Sequence, residues 1–177
     1  MTSGRVRFGN AVLAILAALA CGAPVHAQSA FFREVVLKPR ATQADGVRMV
    51  SILLGKRVGD LSSDTEFLKT RGVMPQDWKP SADAQLSKGW ASYLLIKALG
   101  ERGGAGARVM GWSKRRAYQE LVHLQVMPAK GGEHAKLTGP EVITLLDRSA
   151  AHRAKRQSRL SEQVSQDTGG KPEGKGK

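Results

Sequence analysis

Cysteine is almost missing from this chain: Cys21 is the only one in 177 residues, and it lies inside what reads as an export signal. With that segment removed no thiol remains, which excludes a disulfide framework, thiol chemistry and a cysteine-based metal site. Acids are scarce as well, 15 Asp and Glu against 28 Lys and Arg, for a formal net charge of +13. The apolar stretch at residues 11–20 (AVLAILAALA) is shorter than the roughly 20 residues a membrane-spanning helix requires. No segment sustains period-two alternation, so strands are not expected. No Ser-His-Asp order, paired carboxylates or Gly-x-Ser-x-Gly can be assembled, and several acids (Asp45, Glu66, Glu141) read as helix caps. No catalytic activity is expected on these grounds.

What is present begins with export grammar. Arg5 and Arg7 form a positive start, the apolar run follows, and Val25-His26-Ala27 is a small-residue cleavage site. Residues 1–27 therefore read as a signal peptide, and the protein is expected in the periplasm or at the cell surface. The alternative is lipidation at Cys21, which directly follows Ala18-Leu19-Ala20 in a lipobox-like context. Removal of residues 1–27 leaves 26 bases and 15 acids, a net charge of +11. Residues 148–177 hold eight of those bases and three of the acids. Such a chain is drawn to anionic partners such as wall polymers, lipopolysaccharide or phospholipid head groups, or the charge simply keeps it soluble.

The chain also repeats itself. Val73-Met74-Pro75 recurs 53 residues later as Val126-Met127-Pro128. A polar loop follows each copy, and then a shared helical phrase. Leu86-Ser87-x-x-x-Ala91-x-x-Leu94-Leu95-x-Lys97 is matched 51 residues on by Leu137-Thr138-x-x-x-Val142-x-x-Leu145-Leu146-x-Arg148. A third ending, Val50-x-x-Leu53-Leu54-x-Lys56, stands upstream with no Met-Pro partner. A period of this size marks stacked supersecondary units.

Spacing and caps divide the rest. Residues 28–41 form an apolar lead-in. A first helix starts at the capping box Thr42-x-x-Asp45 and ends within 55–59. A second, 63–71, starts at Ser63-x-x-Glu66 and stops at Gly72; a third, 87–99, is capped by Ser87 and closed by Gly100. Gly103-Gly104-Ala105-Gly106 reads as a linker and not a phosphate loop, because no Gly-Lys-Ser/Thr follows it. A fourth helix, 113–125, is capped by Ser113. A fifth opens at Thr138-x-x-Glu141 and continues as a basic surface helix to about Leu160. The helical domain is thus 42–160, with copies at 63–99 and 113–150. The tail 161–177 is too polar to build a core and is expected to be disordered. The fold class is all-α: a lone helix, then two helix–loop–helix copies, about two and a half units.

A short helix, a hydrophobe-Pro turn, then a longer helix capped by Ser/Thr and ending in Leu-Leu-x-basic resembles the S-layer homology repeat. The resemblance covers about residues 42–150. It implies a helical module, usually of three units, that anchors exported proteins to anionic cell-wall polysaccharide. Binding in that family leans on an Ile-Thr-Arg-Ala-Glu-like stretch opening the longer helix. The matching stretches here are Leu86-Ser87-Lys88-Gly89-Trp90 and Leu137-Thr138-Gly139-Pro140-Glu141, so the arginine position holds Lys88 in one and Gly139 in the other.

Six residues are candidate ligand contacts. Trp78 lies in a loop beside Lys79 and can stack on a sugar ring, whereas Trp90 sits on an apolar helix face and reads as core. Trp112 reads as a pin for the glycine linker. Lys88 stands at the family's arginine position. Lys114, Arg115 and Arg116 open a helix where cations oppose the macrodipole, either for a ligand or as a solvated face. His123 and His134 fall in different elements and do not suggest a metal site. No cofactor, metal, nucleotide or specific nucleic acid is expected. The reading that follows is a non-catalytic envelope module for an anionic polymer or membrane surface. The alternatives are an assembly protein that contacts another envelope protein through its apolar Met-Pro loops, and a small hydrolase with an unrecognised site.

Overall fold

The computed structural model describes residues 24–57, 59–103 and 110–169, with side chains for residues 29–164 of that set. Every regular element among the described residues is a helix: α1 Pro24–Val36, α2 Gln43–Leu53, α3 Leu61–Thr70, α4 Lys88–Leu99, α5 Lys114–His123 and α6 Gly139–Gly169. None is both long and apolar enough to cross a membrane.

Local chemistry sets most of the starts. The capping box before α2 is complete: Thr42 Oγ1 accepts from the Asp45 N–H while Asp45 Oδ2 accepts from the Thr42 N–H at 2.8 Å. The box before α6 has the same form, Glu141 Oε2 accepting from the Thr138 N–H at 2.8 Å. Ser87 and Ser113 accept from the N–H groups of Trp90 and Arg116. Each cap answers one or two amide donors that would otherwise lack a partner. Gly100 closes α4 in the left-handed region, which costs glycine no side-chain clash.

The helices form three pairs, α1 with α2, α3 with α4 and α5 with α6. The longer members α2, α4 and α6 pack on one another at the centre. Each shorter member lies on the long helix of the preceding pair: α3 on α2, α5 on α4, and α1 on α6. That last contact closes the arrangement into a ring. Phe31 and Val35, one turn apart on α1, are buried by it.

Backbone hydrogen bonds repeat the same cycle at the heads of the long helices. The residues before the three caps are Ala41, Leu86 and Leu137, all buried. Ala41 N–H donates to the Leu137 carbonyl, Leu137 N–H to Leu86 and Leu86 N–H to Ala41, each at 2.9 Å. A second cycle runs beside the first. Gln43 N–H donates to Ala84, Lys88 N–H to Ala135, and Gly139 N–H to Lys38, at 2.8–2.9 Å. These bonds satisfy main-chain groups that no strand serves, in a place closed to water.

The two Met-Pro turns are equivalent in detail. Val73 and Met74 N–H groups both donate to the Leu68 carbonyl, and Val126 and Met127 both donate to Leu121, 53 residues later. Met74 and Met127 are each 2 % exposed, so the turns point their apolar side chains into the core. The runner-up reading, which needs those loops to meet another protein, finds no apolar surface at either methionine.

Four sequence expectations are corrected. The lead-in is itself a helix, α1, and completes a third unit where two and a half were expected; its run of adjacent apolar residues carries no helical period. α1 begins at Pro24 and so crosses the expected cleavage point after Ala27. α3 starts at Leu61 and not at Ser63: Asp60 Oδ1 accepts the Ser63 N–H at 2.7 Å, and Glu66 is exposed. The earlier start turns Leu61, Asp64 and Leu68 inward together. The tail is helical as far as Gly169. Its residues 161–164 are exposed, as their composition implies, yet extending an established helix needs no core because only nucleation is costly. Residues 170–177, the export signal 1–23 with Cys21, and Gly104 to 106 of the linker lie outside the described residues.

Candidate functional site

The loop between α3 and α4 carries Trp78, and the fold holds that ring against the start of α4. Trp78 stacks on Trp90 with centroids 5.3 Å apart and tilts against Tyr93 at 4.9 Å. Burial first, and then the Asp77 carboxylate, raise the Tyr93 pKa above its ordinary value. Lys114 reaches across from the head of α5, its Nζ 5.0 Å from the centre of the Trp78 ring. A cation at that range is attracted by the electron-rich ring face.

Trp78, Lys79 and Pro80 form a ridge between two shallow hollows. One, of about 320 Å³, is lined by Gln43, Asp77, Trp90 and Lys114 in addition to the ridge. The other, of about 440 Å³, is lined on its far side by Leu61, Ser62, Thr65, Glu66 and Lys69. Each hollow has two lysines and one carboxylate, an excess of one positive charge. Three side chains already contact the Trp78 ring, so a ligand meets chiefly its rim and the ammonium groups beside it.

Of the six candidate contacts, the fold brings Trp78, Lys79 and Lys114 together and disperses the others. Arg115 is exposed on α5. Arg116 turns back along the chain, donating to the Gly111 carbonyl at 3.3 Å and approaching the Met110 sulfur at 3.5 Å. Lys88 is 4 % exposed and donates to the Lys130 carbonyl at 2.6 Å, with Glu141 Oε1 at 3.9 Å. A ligand does not reach it without moving the loop at 130–133. Trp90 is buried, as its place on an apolar face implies.

The three residues at the first helical position share one task. Gln43 Oε1 accepts from the Ser81 N–H at 3.1 Å, tying α2 to the following loop. Lys88 does the same for α4 through Lys130. At Gly139 the backbone of α1 comes so close that a Cβ would collide with the Val35 carbonyl. In this chain the position therefore closes one unit onto the next, and the glycine is required by packing.

Sequence reading overlooked a third concavity. Residues 123–125 at the end of α5, Glu101 and the stretch 152–159 of α6 enclose a cleft of about 450 Å³. His152 Nε2 lies 2.9 Å from Glu101 Oε1, and Arg156 Nη1 lies 3.3 Å from the same oxygen. Its signal was the run of bases at 148–159, which alone does not say what faces it. Among the described residues no three of His, Cys, Asp and Glu gather closely enough to hold a metal ion. No protein-family model, no curated protein and no solved structure matches this chain.

Proposed function

We propose that this protein is a non-catalytic module of the bacterial envelope that holds an anionic polymer on the basic hollows beside Trp78. The observation that supports the reading most directly is the convergence of Lys79 and Lys114 on one aromatic ridge from elements 35 residues apart in sequence. Export grammar, the net charge of +11 after residue 27 and the resemblance to wall-anchoring repeats agree with it. Two lysines are mobile point charges and suit a flexible polyanion better than a ligand of fixed geometry.

Co-sedimentation of the mature chain with purified cell-wall material tests this. Binding should fall steeply between low and moderate salt, since the contacts are exposed ion pairs. Lys79→Ala combined with Lys114→Ala should lower it several-fold at fixed salt. Binding that ignores both salt and these two lysines rejects the proposal, and points to a protein partner instead.

A further inference from the structure

The cleft formed by Glu101, the end of α5 and the last part of α6 breaks the three-part pattern. α4 stops at Leu99, whereas α6 continues past the equivalent point by several turns. That extension carries His152, Arg153, Lys155, Arg156 and Arg159. Two of these cations have a structural use. Arg153 Nη1 donates to the Leu53 carbonyl at 2.6 Å and Arg156 Nη1 to the Leu99 carbonyl at 2.7 Å. They cap the C-terminal ends of α2 and α4, where partial negative charge collects.

Capping does not account for Lys155 and Arg159. Both line the cleft, and among the described residues neither side chain has an acidic partner. The one carboxylate present, Glu101, is already paired with His152 and Arg156. The lining thus holds three permanent cations against one acid, with His123 and His152 as further donors.

The backbone at the rim is a second, independent observation. Gln125 adopts φ +58°, the only positive φ of a non-glycine residue among those described. Its counterpart 53 residues earlier is Gly72, at φ +65°. The same turn is therefore made without strain where glycine is used, and with strain where a side chain borders the cleft. A side chain kept in the left-handed region against its own preference marks a place where the side chain itself matters.

We infer that this cleft is a phosphate-binding site, taking the phosphomonoester group of a small molecule or of a lipid or polymer terminus. Lys155 and Arg159 provide the charge, the guanidinium fork of Arg159 matches two phosphate oxygens, and Gln125 supplies a neutral donor from the opposite wall. The site is separate from the Trp78 hollows and does not depend on the proposal made for them.

The full mature chain is titrated with inorganic phosphate and followed by backbone NMR shifts. The same protein is then floated with phosphatidylcholine vesicles containing phosphatidic acid, and with others containing phosphatidylglycerol. Shifts should concentrate at residues 123–125 and 152–159. Lys155→Ala with Arg159→Ala should weaken phosphate binding about tenfold or more, and Lys79→Ala with Lys114→Ala should leave it unchanged. Gln125→Gly should keep or raise the thermal midpoint while weakening binding a few-fold, a split that a merely structural role does not produce. Flotation with phosphatidic acid beyond that with phosphatidylglycerol identifies a membrane source; phosphate binding without flotation identifies a soluble one. Shifts spread over all basic surfaces, or binding that survives loss of Lys155 and Arg159, overturn the inference.

Discussion

Arg153 reaches back 100 residues to place its Nη1 2.6 Å from the carbonyl oxygen of Leu53. The bond joins the extended part of α6 to the exposed end of α2 and answers a carbonyl that has no partner inside its own helix. Arg153→Ala should therefore destabilise the fold by about 1–2 kcal/mol, in the range for a charge-assisted hydrogen bond. Urea unfolding monitored by helical circular dichroism measures this. A loss below about 0.3 kcal/mol means that the bond is too solvent-exposed to matter.

The equivalence of the two Met-Pro turns predicts equal costs at equivalent places. Leu68 and Leu121 are both fully buried, and each carbonyl accepts two amide bonds from its own turn. Leu68→Ala and Leu121→Ala should each cost about 3 kcal/mol. Unfolding free energies that differ by more than about 1.5 kcal/mol show that the two units are packed unequally despite their shared geometry.

At Gly139 the expected effect is larger. A β-carbon there meets the Val35 carbonyl, which is main chain and cannot rotate aside. Gly139→Ala should cost more than about 3 kcal/mol or prevent folding, since overpacking against backbone forces whole elements apart. Gly72→Ala is the control: its neighbourhood is open, and only the positive φ opposes the substitution, at about 1–2 kcal/mol. Soluble yield and denaturant midpoints of the two variants distinguish these outcomes.

Truncation should separate the two parts of α6. Deleting 161–177 removes only exposed side chains among those described, so the thermal midpoint should move by no more than about a degree or two. Binding to anionic envelope material at low salt should fall in part, because Lys171, Lys175 and Lys177 are lost while the bases at 148–159 remain. Deleting 150–177 removes both helix-capping arginines as well and should lower the midpoint by several degrees.

Alkali should weaken the contact between the first unit and its own helix. Lys38 bridges Glu34 at 2.8 Å and the buried Asp45 at 2.9 Å. Burial alone would lower the Lys38 pKa, but hydrogen bonds and the charges of both carboxylates outweigh it and leave the pKa raised above 10.5. A raised lysine stabilises the fold fully below 10.5, and its contribution disappears as pH climbs through the higher folded value. Lys38→Met should flatten the loss of thermal stability above that pH. An unchanged alkaline profile in the variant means that the pair adds nothing.

Much of this architecture was legible in the chain because it is written in local chemistry. Thr42, Ser87, Ser113 and Thr138 each cap the helix that their spacing indicated, and Gly72 and Gly100 end theirs. Asp60 displaced Ser63 as a cap because two eligible residues stood three apart and burial of Leu61 and Asp64 decided between them. α1 escaped notice since its adjacent Phe31, Phe32, Val35 and Val36 mix buried and exposed positions without a clear period. At the candidate site, Trp78 beside Lys79 was readable from their adjacency. The arrival of Lys114 above the ring was not, for it depends on how α5 lies on α4. Lys88 shows the opposite failure: a lysine at a helix head reads as surface, and only the loop at 130–133 makes it interior.

The ring of bonds through Ala41, Leu86 and Leu137 also fixes how many units this protein can have. In an open array each repeat adds to the last, so copies can be gained or lost and stability grows with length. Here every donor at the centre already has an acceptor, and the third unit returns to the first. A fourth copy would find no vacant amide and no free helix face, and removal of one would leave two unpaired main-chain edges facing inward. The molecule is thus a counted assembly, in which duplication within the gene has nowhere to go and loss of a unit means loss of the whole.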